Sequence, residues 1–137
     1  MNAVDTNVLI YAHDPRDQQK QAAAIALIQS QSDGALLWQV ACEYLAASRK
    51  LESHGYSLQQ AWKDVVDLQS AWTTILPTWQ VLAEAESLMN AFSLSFWDAL
   101  ILGACVEGGV ERLYTEDFDA YSDVRGVAII NPFASEA

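Results

Sequence analysis

The chain has 137 residues, of which 52% are hydrophobic, and only three Pro and six Gly; this excludes a disordered chain and is typical of one folded domain with a buried core. Its 18 acidic and seven basic side chains give a formal net charge of −11, so phosphate-rich ligands are repelled unless cations or a basic partner neutralise the surface. The simplest alternative is that this acidity only keeps an apolar-rich chain in solution.

Two features of the sequence bear on its cellular compartment. No apolar run approaches the roughly 18 residues that a membrane span requires, and the N-terminus starts with a strand pattern instead of a signal peptide. Cys42 and Cys105 stand far apart without a CxxC pattern. We therefore expect both to be reduced core residues of a cytoplasmic protein.

The first half of the chain alternates strand-like and helix-like segments. A short buried strand is predicted at residues 3–4 and ends at Asp5, and Thr6 can cap a helix that stops at Asp14, before Pro15. There follow a helix over 16–31, a strand over 35–38 and a helix over 39–53 that Gly55 ends.

The second half is mostly helical. Its predicted elements are helices over 58–72, 78–92 and 95–106 and strands over 75–76, 112–115 and 127–130. Alternating elements with uniformly apolar strands predict an α/β fold, with a parallel sheet covered by helices on both faces. Ligands of such sheets bind beyond the carboxyl ends of the strands, where Asp5 and Asp117 follow two of them.

Glu43 and Asp98 stand among apolar residues, where an ionised carboxylate is costly without a partner. Glu43 shares its predicted helix face with Val40 and Ala47. Asp98 lies within the segment FWDALILGACV. Ser95 and Asp98 also fit a capping box, which would explain this acid without a metal.

Asp5 and Asp117 have alternatives of their own. A carboxylate beside a helix N-terminus is stabilised by the helix dipole, and EDFDAYSD fits an ordinary polar loop. However, no Lys or Arg lies within four residues of Asp5, Glu43 or Asp98. Carboxylates gathered without counter-charges repel one another or take up protons, and a hard divalent cation removes that conflict.

Several segments in this order resemble the PIN-domain nucleases, and among them the VapC toxins of bacterial toxin–antitoxin pairs. The resemblance covers essentially the whole chain and is carried by AVDTNVLIYA, VACEYLA, LSFWDALILGAC and LYTEDFD. It implies a single PIN-like domain over residues 1–137, with a three-layer α/β/α fold and a short central parallel sheet. It also implies RNA cleavage with Mg²⁺ or Mn²⁺, homodimerisation and inhibition by a cognate antitoxin.

The family pattern assigns the chemistry to particular residues. It places an acidic quartet, which would bind metal and catalyse cleavage, on Asp5, Glu43, Asp98 and Asp117. Auxiliary roles fall on Thr6, Asn7, Thr115 and Asp119. The expected reaction is hydrolysis by water, with no side-chain nucleophile.

The predicted helix over 58–72 carries more apolar residues than one core-facing stripe requires. Our functional hypothesis is a groove that accepts an antitoxin helix, formed by Trp62, Val65, Val66 and Trp72. The alternative is a well-buried helix in a small domain.

Two other functions compete with the nuclease. One is a metal-dependent phosphatase for small substrates, although the D-x-D-x-T signature is absent because Asp5 is followed by Thr-Asn-Val. The other is a non-catalytic PIN-like interaction domain whose acids bind a basic partner tail.

Overall fold

The structure, a computed structural model, describes residues 1–118 and 120–134. Its strands are β1 Asn2–Val4, β2 Gly34–Leu37, β3 Thr73–Ile75, β4 Arg112–Tyr114, β5 Asp123–Val124 and β6 Val127–Ile130. Its helices are α1 Thr6–Tyr11, α2 Gln18–Ser30, α3 Trp38–Ala47, α4 Leu58–Ala71, α5 Trp79–Ala91 and α6 Phe96–Gly108, with a 3₁₀ helix at Ser48–His54.

The strands form one sheet in the order β3-β2-β1-β4-β6-β5. Every neighbouring pair is parallel except β5 and β6. Helices α1 to α4 pack against one another, α5 packs on α6, and both groups contact the sheet. The predicted three-layer α/β/α fold with a mostly parallel sheet is confirmed.

The core lies where the apolar strands meet the helices. Strand β2 is buried along its whole length, and α6 buries Ala99 and the continuous run from Ile101 to Cys105, as its apolar sequence predicts. Gly103 allows α5 to approach α6 closely, since a Cβ atom there would lie 2.9 Å from the Val81 carbonyl oxygen of α5. Any larger residue at this position would push the two helices apart.

Three sequence predictions need correction. The helix predicted over 39–53 leaves α geometry after Ala47 and continues as the 3₁₀ helix, which ends at Gly55 with a positive φ of 91°. Strand β5 was not predicted, because two residues are too short to give an alternating pattern. Cys42 is exposed while Cys105 is buried, because α3 turns only one face, with Val40 and Tyr44, to the core.

Among the described residues no single helix is long and apolar enough to cross a membrane, although α5 and α6, which meet at a bend of 119°, pass that test as a pair on length and composition alone.

The sheet brings the ends of β1 and β4 together. Val4 lies in register with Tyr114, and the Asp5 backbone N–H donates to the Tyr114 carbonyl oxygen at 2.9 Å. Asp5 and Thr115, the residues that follow these strands, therefore lie side by side at the carboxyl edge of the sheet.

Candidate active site

A cavity of about 430 Å³ opens beside the carboxyl ends of β1 and β4. Four carboxylates from four different segments of the chain line it: Asp5, Glu43, Asp98 and Asp117. Asp5 follows β1, Glu43 lies on α3, Asp98 lies in the first turn of α6, and Asp117 follows β4. The structure thus brings the whole predicted quartet to one cavity.

Asp5 is the most buried acid of the quartet, with 6% of its surface exposed. It adopts an extended conformation and caps α1, accepting a hydrogen bond from the Thr6 backbone N–H at 2.7 Å. The sequence predicted Thr6 as the capping residue, and this prediction is wrong, because Thr6 is already the first residue of the helix. Burial raises the pKa of Asp5 to about 6, and the nearby charges of Asp117 and Glu43 act in the same direction, against the hydrogen bonds from Thr115 and Thr6.

Thr115 connects the acids that follow the two strands. Its buried hydroxyl donates to Asp5 Oδ2 at 2.9 Å and accepts a hydrogen bond from the Asp117 backbone N–H at 3.0 Å. Asn7 adds to this network, because its Nδ2 donates to Asp117 Oδ2 at 3.2 Å and to Thr115 Oγ1 at 3.4 Å. Of the four predicted auxiliary residues, Asn7 and Thr115 therefore contact the quartet here, whereas Asp119 lies outside the described residues.

Glu43 is half-buried and receives hydrogen bonds on both carboxylate oxygens. The Thr6 hydroxyl donates to Oε2 at 3.2 Å, so Thr6 contributes through its side chain. Gln39 Nε2 donates to Oε1 at 2.6 Å and also to the Trp97 carbonyl oxygen at 3.3 Å. A role for Gln39 was not predicted from the sequence. Its position one helical turn before Glu43 indicates that the two side chains can contact each other.

The capping alternative for Asp98 accounts for only part of its environment. The Asp98 backbone N–H donates to Ser95 Oγ at 3.2 Å, so Ser95 caps α6. In α4 a complete capping box pairs Ser57 with Gln60, whereas the described bonds of α6 include only the Ser95 half. The Asp98 carboxylate instead lines the acidic cavity.

A second network holds the loop that carries Asp117. Tyr11 donates its hydroxyl hydrogen to Glu116 Oε1 at 2.7 Å, and Lys20 Nζ lies 2.9 Å from Glu116 Oε2 and 3.2 Å from the Tyr11 hydroxyl. These contacts could not be predicted from the sequence, because Glu116 is about a hundred residues away from Tyr11 and Lys20 and meets them only in the fold.

The donor set suits a hard divalent cation, since magnesium prefers carboxylate and amide oxygens. The buried Asn7 Oδ1 has no hydrogen-bond partner among the described residues, which leaves an oxygen of this kind unsatisfied beside the acids. Within residues 1–118 and 120–134, no group of three His, Cys, Asp or Glu side chains is close enough together to hold a metal ion.

The predicted partner residues on and after α4 divide into two kinds. Trp62 and Val66 are 56% and 54% exposed, and Val65 is half-buried against the core. Trp72 is only 9% exposed and packs against the backbone of Gly34, so the prediction that it contributes to an exposed groove is corrected: it is a core residue.

Comparisons with known proteins agree with this architecture. A toxin–antitoxin complex from Klebsiella pneumoniae has a TM-score of 0.71 at 20% identity, covering 97% of this chain and 98% of the other. VapC20 of Mycobacterium tuberculosis, a toxin that cleaves the sarcin-ricin loop, has a TM-score of 0.68 at 16% identity, covering 87% and 92%. VapBC2 from Rickettsia felis, bound to a promoter DNA fragment, has a TM-score of 0.64 at 14% identity, covering 93% and 96%.

These likenesses concern the fold. No curated protein sequence matches the chain significantly. The model of the PIN domain, however, matches residues 3–127, which is most of the chain and includes every acid of the quartet. The chain belongs to the PIN domain family.

Proposed function

We propose that residues 1–137 form one Mg²⁺- or Mn²⁺-dependent ribonuclease domain, the toxin of a toxin–antitoxin pair acting in the cytoplasm. The observation that carries this proposal is the cavity lined by Asp5, Glu43, Asp98 and Asp117 at the carboxyl edge of the sheet. Membership of the PIN domain family and the likeness to a toxin that cleaves RNA support it.

In the proposed reaction, water attacks the phosphorus atom and gives up a proton to solvent, while the bond between phosphorus and the 3′ oxygen breaks and that oxygen takes up a proton. The product ends are a 5′-phosphate and a 3′-hydroxyl. A divalent cation held by these acids would supply positive charge to the phosphate and would lower the pKa of the attacking water. Asp5, Asp98 and Asp117 would hold the ion, and Glu43 would be a further ligand or would orient the water. Thr115 and Asn7 fix Asp5 and Asp117 relative to each other through the hydrogen bonds described above.

The rival functions predict different outcomes. A non-catalytic PIN-like domain that binds a basic tail would keep the acidic cavity but cleave no RNA. A phosphatase would release phosphate from small esters and leave internal phosphodiesters intact. Purified protein, labelled RNA and added metal therefore separate all three.

We expect millimolar Mg²⁺ or Mn²⁺ to enable RNA cleavage and to raise the melting temperature, and a chelator to reverse both effects. At ten times its dissociation constant, an ion that binds only the folded state adds about 1.4 kcal/mol, which corresponds to roughly 5 °C. Calcium serves as the comparison ion, because it can bind oxygen ligands without supporting turnover. An unchanged melt together with intact RNA in both metals would exclude the proposed site.

An exposed apolar stripe on α4 is the proposed surface for the antitoxin. Leu58, Trp62 and Val66 are spaced by four residues, so they share one helix face, and each is at least 40% exposed. An apolar helix face suits a groove-type contact with a partner helix. The net charge of −11 favours a partner with a basic tail, which would approach the acidic cavity.

Trp62→Ala should weaken antitoxin binding by about tenfold or more, because exposed tryptophans are frequent anchors of interfaces. RNA cleavage by the free protein should not change, since Trp62 does not line the acidic cavity. Calorimetry at two salt concentrations measures the affinity, with contacts at the stripe expected to tolerate salt. Trp79→Ala, 82% exposed on α5, is the matched control. Unfolding of Trp62→Ala, or unchanged antitoxin affinity, would reassign α4 to a purely structural role.

We also propose a homodimer. Trp38 and Trp97 are 49% and 64% exposed and line a common cavity of about 160 Å³, which offers two aromatic anchors to a partner. Light scattering on the purified chain checks this proposal, and a monomer at micromolar concentration would contradict it.

A further inference from the structure

Two of the seven basic residues line the acidic cavity: Arg16 and Lys50. Most of the others are engaged elsewhere. Their partners are Glu116 for Lys20, Asp67 for Lys63, Asn2 for Arg112 and Glu84 for Arg125. A chain of such acidity therefore places a substantial share of its scarce positive charge where a phosphodiester would have to enter.

Arg16 is held in a fixed orientation by a buried carboxylate. Its Nε donates to Asp14 Oδ1 and its Nη2 to Asp14 Oδ2, both at 2.9 Å, and its backbone N–H donates to Oδ1 at 3.1 Å. The Asp14 side chain is 8% exposed, whereas that of Arg16 is 54% exposed. A guanidinium carries five N–H groups, so this two-bond pairing leaves three for an acceptor in solution. Because Asp14 already orients the group, little conformational entropy is lost when an anion binds.

Lys50 lies on the 3₁₀ helix, close to the loop that holds Arg16. Asp14 and Arg16 line the same cavity as Lys50 and Leu51 of the 3₁₀ helix, so the helix and the loop are neighbours. Within residues 1–118 and 120–134, Lys50 forms no ion pair. Two cations thus share one side of the fold at the cavity that also contains the quartet.

A single RNA strand carries one negative charge on each nucleotide, and the metal can neutralise charge only at the phosphate that is cleaved. The neighbouring phosphates would still face a strongly acidic protein. A fixed guanidinium suits one of them, because it presents several N–H donors to phosphate oxygens, and a mobile lysine suits another as a point charge.

We propose that Arg16 and Lys50 bind the RNA phosphates that flank the scissile one, with Asp14 as the residue that positions Arg16. This inference rests on the proposed nuclease function, and it adds the contacts by which an acidic protein holds an anionic substrate. If the inference is correct, RNA affinity depends on the position of these two charges at the cavity. Neutralising a basic residue elsewhere on the protein should then reduce RNA affinity less.

The test compares Arg16→Gln, Lys50→Gln and Arg49→Gln. All three remove one positive charge, but Arg49, the neighbour of Lys50, does not line the cavity. Fluorescence anisotropy with a labelled single-stranded RNA, in calcium to limit turnover, gives affinity as a function of salt. Arg16→Gln and Lys50→Gln should each weaken binding by roughly tenfold and reduce the salt slope by about 0.7, the value for one lost contact to a single strand. Arg49→Gln should change both much less.

Asp14→Asn separates positioning from net charge. Removing a negative charge beside bound phosphate should strengthen binding if only net charge matters, but it should weaken binding several-fold if Asp14 orients Arg16. Asp67→Asn, which releases the exposed Lys63 in the same way, is the control and should not weaken binding. If Asp14→Asn fails to fold, as judged from its melt, the three Gln variants decide alone.

The outcomes distinguish this inference from the proposed function. RNA binding that depends on Arg16 and Lys50, with no cleavage in any metal, would overturn the nuclease and leave the phosphate contacts in place. If the protein cleaves RNA but the three Gln variants lose RNA affinity equally, or lose none, the phosphate contacts are overturned and the nuclease function stands. A wild-type protein that binds no RNA would also overturn the contacts.

Discussion

Asp98→Asn and Asp5→Asn should each reduce RNA cleavage by more than about a hundredfold while the protein stays folded. Residues that merely support metal ligands cost 10- to 100-fold on mutation, so loss of a ligand itself should exceed that range. Asparagine is nearly isosteric with aspartate but lacks the negative charge that attracts a cation. Single-turnover cleavage of labelled RNA in Mg²⁺ measures the effect, and circular dichroism checks the fold.

Asp33→Asn is the control for both variants. Asp33 immediately precedes β2, so it lies at the amino edge of the sheet, opposite to the cavity, and it pairs with the N-terminal amine. Its removal should leave the rate of cleavage unchanged. Full activity in Asp5→Asn and Asp98→Asn would end the quartet hypothesis, and an equal loss in Asp33→Asn would point to a general effect of charge.

The sheet and the convergence of acids on its carboxyl edge could be predicted because they depend on local patterns. Strand β1 is short and apolar and is followed at once by Asp5, and LYT is followed by Asp117 two residues later. Parallel strands place such residues at one edge whatever lies between them. Asp98 was ambiguous for a physical reason: one residue can offer its backbone N–H to the Ser95 cap and its carboxylate to a cavity.

The contacts that complete the cavity could not be predicted, because they join segments whose proximity the sequence does not encode locally. Gln39 reaches the Trp97 carbonyl oxygen across two helices, and Lys20 reaches Glu116 from α2. Solvent exposure was equally hard to predict. Trp62 and Trp72 both follow an alanine and have mostly polar neighbours in the sequence, yet Trp72 lies against Gly34, which leaves room for its ring.

Without metal, Asp5→Asn should make the protein more stable than the wild type at high pH and less stable at low pH. Burial, with some contribution from Asp117 and Glu43, raises the pKa of Asp5 from 3.8 to about 6. The carboxyl group therefore binds its proton more tightly in the folded than in the unfolded chain. Its favourable contribution to the free energy of unfolding is complete below pH 4 and is lost as pH rises through 6, a change of about 3 kcal/mol.

Asparagine removes this pH dependence at a cost. It can still accept the Thr6 N–H bond, but its amide nitrogen cannot accept the hydroxyl hydrogen of Thr115, which costs about 1 kcal/mol. In a chelator, Asp5→Asn should thus be more stable than the wild type by about 2 kcal/mol at pH 8 and less stable by about 1 kcal/mol at pH 4. Urea unfolding at both pH values, with Asp33→Asn as control, measures the difference. Adding Mg²⁺ at pH 8 should stabilise the wild type more than the variant, because the cation favours the ionised carboxylate. A variant that is less stable by the same amount at every pH would show that Asp5 serves only as a helix cap and hydrogen-bond acceptor.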